Sequence, residues 1–160
     1  MVSIKIYTDG SSKGNPGAGG YGIVLLSDEG HRKEVAKGYR KTTNNRMELL
    51  SVIVALEMLK AKPMDVVVYS DSKYVVDAIE KKWLFNWEKK CFDKKKNIDL
   101  WKRFLIIYRE HNVKFIWVKG HSSNVENERC DKLAVAAAEA KHQHDVDKGY
   151  ENQTQNPNLL

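Results

Sequence analysis

The stretch Asp65–Ser70, DVVVYS, constrains the fold more than any other. A continuous β-branched run without polar alternation reads as a central strand covered on both faces, so helices must flank it on either side. The neighbouring patterns supply them. Val2, Ile4 and Ile6 alternate with Ser3, Lys5 and Tyr7, which is the period of a strand. GIVLLS (22–27) reads as a second strand and, beyond the turn SDEG, KEVAKGYR (33–40) as a third. A helix is expected to open near Asn44 and run through RMELLSVIVALEMLKAK to Pro63. Its apolar residues surround much of the circumference, as in a helix buried on several sides. Further on come a short helix in SKYVVDAIEKK, an amphipathic helix in IDLWKRFLIIYREH, a last strand in VKFIWVKG and an alanine-rich helix in NERCDKLAVAAAEAKH. The order strand–strand–strand–helix–strand–helix–(helix)–helix–strand–helix describes an α/β protein, a mixed sheet with helices on its faces. One domain over 1–142 is expected. The polar residues 143–160 are expected to form a mobile tail.

Residues 9–22, DGSSKGNPGAGGYG, hold six glycines. The frame Gly17-x-Gly19-x-x-Gly22 satisfies a dinucleotide fingerprint, but that motif needs a strand before it and a helix after it. Here Gly22 runs into IVLLS, a strand, and no Gly-Lys-Ser/Thr of a phosphate loop follows. A hairpin loop using Asn15, Pro16 and the glycines is the simpler reading, and no nucleotide cofactor is expected.

The formal net charge is +6, and one segment carries all of it. Residues 81–103 hold nine Lys/Arg against three acids, whereas the rest of the chain has eighteen of each. A charge run is usually a solvated face. Trp83, Phe85, Trp87 and Phe92 interleave this one, which favours a nucleic-acid surface. Only Cys91 and Cys130 occur, without a CxxC pair, so both thiols are expected to be reduced. Neither a signal-peptide pattern nor ~20 consecutive apolar residues is present, and a soluble, cytoplasmic protein with no membrane partner is expected.

Four carboxylates stand at element ends or near helix starts. Asp9 ends the first strand and Asp71 the central one, the edge at which ligand sites form in open α/β sheets. Glu48 lies one turn into the long helix, and Asp131 early in the last. Each has a local alternative: Glu48 in a capping arrangement with Asn45, Asp71 capping the helix at Ser72, Asp131 favouring the helix dipole. Brought together, the four would repel strongly. A hard divalent cation such as Mg²⁺ or Mn²⁺ would relieve that conflict, and two such ions can cleave a phosphodiester.

Taken in order, YTDGSSKGNPGAGGYG, TTNNRMELLSVIVALE, YSDSKYV, WLFNWEKK, NIDLW, WVKGHSSNVENERCDKLA and GYE resemble ribonuclease H of the type 1, bacterial family, over nearly all of residues 2–140. The resemblance implies a ribonuclease H-like fold, a five-stranded mixed sheet with helices on both faces. Its first three strands are antiparallel, and its fourth and fifth run parallel to the first. It implies a stand-alone, monomeric endonuclease that hydrolyses the RNA strand of an RNA–DNA hybrid by a two-metal mechanism, leaving 5′-phosphate and 3′-hydroxyl ends. Two Mg²⁺ ions are implied with substrate bound, with Mn²⁺ able to substitute. By motif position Asp9, Glu48, Asp71 and Asp131 correspond to the metal-binding carboxylates, and His121 to the family's mobile histidine. His31, His111, His142 and His144 have no motif support and are expected at the surface.

For the substrate, Asn15, Asn44 and Asn45 correspond to polar contacts near the hybrid's minor groove. Lys41, Thr43 and Asn97 correspond to a pocket for a DNA-strand phosphate, and Trp83 and Trp87 to the floor of the DNA channel, core tryptophan being the alternative for either. Lys89 and Lys90 fall in the basic protrusion. That protrusion departs from the family pattern: EKKCFDKKK is short, Glu88 replaces a usual base and Phe92 a usual tryptophan. Weaker or more salt-sensitive hybrid binding is expected. Two other readings stay open: a non-catalytic hybrid- or dsRNA-binding module, and a DNA-strand nuclease or integrase on the same fold.

Overall fold

The computed structural model describes residues 3–120 and 124–155. Its strands are β1 (Ser3–Lys13), β2 (Gly17–Ser27), β3 (Arg32–Thr42), β4 (Asp65–Ser70) and β5 (Asn112–Trp117). Its helices are α1 (Asn44–Glu57), α2 (Lys73–Glu80), α3 (Trp83–Lys89), α4 (Ile98–Tyr108), α5 (Val125–Glu139) and α6 (Lys148–Gln155), with a 3₁₀ turn at Lys141–Gln143. The five strands form one sheet in the order β3-β2-β1-β4-β5. β1 pairs antiparallel with β2, and β2 with β3, while β4 runs parallel to both β1 and β5. DVVVYS is an interior strand between β1 and β5, with Val66 and Val68 buried on one face, but Val67 and Tyr69 on the other face are only half-buried, so the expected double cover is incomplete.

The glycine-rich segment is mostly strand rather than loop. β1 continues to Lys13 and β2 begins at Gly17, leaving a short turn that contains Gly14 at φ +88°. The glycines in the strands serve contact instead. A Cβ on Gly10 would stand 2.5 Å from the Glu48 backbone nitrogen, so α1 lies directly on β1. On the opposite face a Cβ on Gly20 would stand 2.7 Å from the Ala134 carbonyl oxygen, and one on Gly22 would collide with the Cys130 carbonyl, so α5 lies directly on β2. The core fills the α1 face, with Met47, Leu49, Val52, Ile53 and Leu56 packed against Ile6 and Ile23, and α4 contributing Trp101 and Phe104. α1 ends at Glu57, short of the expected Pro63, with Met58 as its C-cap.

The expectation of a mobile tail beginning at 143 does not hold for its described part. Asp145 joins the outer edge of β3: its N–H donates to the Gly38 carbonyl at 2.9 Å, and its carbonyl accepts from Arg40 N–H at 3.0 Å. Asp147 is buried, accepting from Thr42 Oγ1 at 2.6 Å and from Arg46 Nε at 2.8 Å and Nη2 at 2.9 Å. The same guanidinium grips Asp99 at 2.9 and 2.7 Å. α6 follows, with Tyr150 buried. Low apolar content concealed this docking because it is largely ionic, with Lys37, Arg40 and the buried Arg46 pairing with Asp145, Glu151 and Asp147. The domain therefore does not end at 142. His111 corrects another expectation. It is buried, its Nδ1 accepts from Met64 N–H at 3.1 Å, and burial pushes its pKa down.

The basic segment passes through left-handed backbone at Lys82, forms α3 and then a tight turn with left-handed backbone at Cys91, Phe92, Lys94 and Asn97. Phe92 is buried, Phe85 packs on Tyr108 and Trp87 on Trp101, so three of the four interleaved aromatics pack with the core. Glu88 makes a two-pronged pair with Arg109 at 2.9 and 2.6 Å, so its carboxylate is neutralised locally. Neither cysteine is in a disulfide.

Two stability outcomes follow from these contacts. Asp147→Ala leaves the buried Arg46 short of a partner and should cost roughly 3 kcal/mol in denaturant unfolding. Lys82→Gly relieves left-handed strain at φ 62° and should gain about 0.5–1 kcal/mol in the same measurement.

Candidate active site

The site forms where the parallel strands part. Pairing of β1 with β4 ends at Tyr7↔Tyr69. Asp9 lies two residues further along β1, and Asp71 immediately follows β4. Glu48 arrives from α1, which Gly10 admits to close range. Ligand oxygens of Asp9, Glu48 and Asp71 lie within 4.8 Å of one another. Asp131, from α5, lines the same cavity of about 230 Å³. The sequence motifs thus bring all four acids to one cavity.

None of the local alternatives accounts for them. Thr43 caps α1 by accepting from Arg46 N–H and Ser72 caps α2 through Val75 N–H, while Asp131 lies in the second turn of α5, beyond the first-turn acids Glu126 and Glu128 on which the dipole acts. Glu48 is instead buried, with Oε2 unpartnered. Burial is the main force on the pair. It pushes Asp9 up to about 7, with the charges of Asp71 and Asp131 adding to the rise and hydrogen bonds from Glu48 and Gly10 opposing it. Glu48 is raised well above the usual carboxylate range by burial and then by Asp9. Burial and mutual repulsion thus hold both carboxyls toward their protonated forms. All-oxygen ligands, a buried oxygen without a partner and carboxyls reluctant to ionise together fit a hard divalent cation.

Of the other expected site residues, His121 lies outside the described residues. Asn15 and Asn44 are joined, Asn15 Oδ1 accepting from Asn44 N–H at 3.1 Å. Asn15, Thr43, Asn45 and Asn97 line a second cavity of about 440 Å³, next to the acidic one through α1. Asn97 is more constrained than its motif suggests. It is buried, its Oδ1 accepts from Arg46 at 3.3 Å and its Nδ2 donates to Tyr74 OH at 2.9 Å. Lys41 lies apart from these, in a neighbouring groove with Arg40. Trp83 is 47% exposed, with Lys81 Nζ 5.1 Å from its ring centroid. Trp87 is half-buried, edge-on to Trp101 at 5.7 Å, with Lys95 over its ring. Lys89 and Lys90 are exposed on the end of α3.

Sequence reasoning passed over Asn127 and Glu128, which also line the acidic cavity. Their spacing was the available signal, since positions three and four before Asp131 share its helix face. Trp117 was likewise missed. Its indole N–H donates to the Asp71 carbonyl at 3.2 Å and steadies the backbone that carries that acid.

Because the folded, metal-free pair holds protons that the unfolded chain releases near pH 4, its contribution to stability is full at low pH. That contribution is lost as pH rises toward about 7. Mg²⁺ should therefore raise the melting temperature more at pH 8 than at pH 5. Asp9→Asn should raise the metal-free melting temperature at pH 8 by roughly 3–6 °C and diminish the Mg²⁺ response, as read by differential scanning fluorimetry.

The comparisons with known proteins agree with this geometry. The family model described as RNase H matches residues 2–139. Ribonuclease H of Desulforamulus reducens is 57% identical over 143 residues, covering 86% of this chain and 89% of the relative. Among solved structures, LC9-RNase H1, a type 1 RNase H with the type 2 active-site motif, superposes with a TM-score of 0.78 at 30% identity, covering 94% of this chain and 80% of that one. LC11-RNase H1, solved in complex with an RNA/DNA hybrid, gives 0.64 at 28% identity, covering 87% and 99%. With its sheet order, its acids gathered at the strand edge and a family match along nearly the whole domain, the chain belongs to the RNase H family.

Proposed function

We propose that the protein is an endonuclease that hydrolyses the RNA strand of RNA–DNA hybrids, leaving 5′-phosphate and 3′-hydroxyl ends. Asp9, Glu48, Asp71 and Asp131 hold Mg²⁺, two ions when substrate is bound, and Mn²⁺ substitutes. The observation that carries the reading is the three-carboxylate cluster with its unpartnered buried Glu48 oxygen. A surface built only for binding a polyanion gains nothing from four acids. Hybrid as substrate is supported by the complex formed by LC11-RNase H1. No helix among the described residues is long and apolar enough to cross a membrane, and the proposed enzyme is monomeric and cytoplasmic.

The divalent ions supply Lewis acidity toward the scissile phosphate and offset charge on the leaving oxygen. The chain's own groups do the rest. Asp9 and Glu48, both held toward their protonated forms by burial, would ionise fully only against a bound cation. Asn15 is held by Asn44 N–H, which orients amides able both to donate to and accept from 2′-hydroxyls, the group that distinguishes RNA from DNA. We assign the Thr43 hydroxyl, which also caps α1, and Lys41, in the adjoining groove, to a DNA-strand phosphate. Lys lacks the fork of Arg and binds as a point charge. His121 is assigned to proton transfer or product departure. Trp83, Trp87, Lys89 and Lys90 line the DNA side.

The reading is tested with end-labelled hybrid, duplex DNA and duplex RNA, each in Mg²⁺, Mn²⁺ or EDTA. Cleavage confined to the RNA strand of the hybrid, abolished by EDTA, is expected. Asp71→Asn should lower kcat by about 10²-fold or more while hybrid affinity changes by less than about threefold. Metal-independent binding without cleavage would identify a binding module, and duplex DNA cut as fast as hybrid would identify a DNA-strand nuclease.

A further inference from the structure

α6 lies along the rim of the surface assigned to the DNA strand. Glu151 accepts from Arg40 through both oxygens, at 2.8 Å from Nε and 2.7 Å from Nη2. Two residues on, Gln153 Oε1 accepts the backbone N–H of Asn97 at 3.1 Å. Thr154 lines both the cavity that holds Thr43, Asn45 and Asn97 and the adjoining groove of about 500 Å³ formed with Arg40, Lys41 and Glu151. Arg40 therefore stands beside Lys41 on the same groove, with its guanidinium fork filled by a carboxylate.

That fork matches the oxygens of a carboxylate and of a phosphate equally well, and bidentate pairing is what distinguishes Arg from Lys at such positions. The pair is open to water on its arginine side. The Arg40 side chain is 60% exposed and that of Glu151 19%, so solvent and salt reach the guanidinium and screen its attraction to the carboxylate. α6 is anchored ahead of Glu151, through Asp147 and Tyr150, so the carboxylate can swing off without unseating the helix.

Resting on the function proposed above, we propose that Arg40 is a further binding residue for a phosphate of the DNA strand, and that Glu151 competes with that phosphate for the guanidinium. Glu151 then sets a threshold: nucleic acid must displace a resident carboxylate before Arg40 contributes. Hybrid binding is weaker, and its dependence on salt shallower, than the cation count of this face alone would give.

The test is a double-mutant cycle on the full chain, measuring affinity for a fluorescent RNA–DNA hybrid in EDTA across a salt series. Glu151→Gln should tighten binding by roughly threefold to tenfold at low salt and steepen the logarithmic salt slope by about 0.7–0.9, one phosphate contact. Glu29→Gln, at the exposed turn before β3, measures the general effect of removing one negative charge. Arg40→Ala alone should change affinity by less than about twofold, but in the Glu151→Gln background it should remove the gain. A Glu151→Gln effect no larger than that of Glu29→Gln, or one that persists without Arg40, overturns the inference. Wild-type hybrid cleavage in Mg²⁺ is run alongside. Normal cleavage with an uncoupled cycle refutes the role of Arg40 alone, whereas absent cleavage refutes the function on which it rests.

Discussion

The close approach of two helices to glycine-bearing strands is the constraint on which the structure depends. α1 sits on β1 over Gly10, and α5 on β2 over Gly20 and Gly22, each at a distance that leaves no room for a Cβ. Glu48 rides on the first helix and Asp131 on the second. A methyl group at either contact would lift a helix off the sheet, and with it one wall of the acidic cavity. Interiors this densely packed transmit such shifts rather than absorb them. Fold and chemistry are thus joined at atoms that are not there.

A second fixture holds α1 in rotation as well as height. Arg46, two residues before Glu48, is 1% exposed and is gripped by Asp147 from the tail and Asp99 from α4. Thr43 caps the helix one turn earlier. Three elements far apart in sequence therefore fix the first turn of the helix that presents Glu48. Breaking a buried pair of this kind is costly because the surviving charge stays buried, so the tail is part of the domain's structure.

Much of this was legible in the sequence. Alternation in residues 2–8, the β-branched run at 65–70 and the apolar wrap of α1 each reflect a face that must be buried, and burial dictates periodicity directly. The four acids were legible because no local role explained them jointly. What escaped notice depends on contacts between distant segments. The glycines read as loop because turn chemistry and close packing select the same residue, and only the partner helix tells them apart. The tail read as mobile because its anchor is ionic rather than apolar. Phe92 read as part of a nucleic-acid surface because it lies among lysines, yet it turns inward through a left-handed backbone that no propensity suggests.

β3 is an outer strand of the sheet, and its unpaired backbone groups would be a template for another chain. Asp145 occupies part of that edge, exchanging hydrogen bonds with Gly38 and Arg40. The opposite edge, β5, is short and carries Lys114, a charge that discourages strand pairing. The residues after α5 thereby act as a built-in end-stop for the sheet. Their contribution is to colloidal behaviour: a chain cut after Glu139 would expose β3 to its neighbours and self-associate at high concentration, even where its clustered acids remained in place.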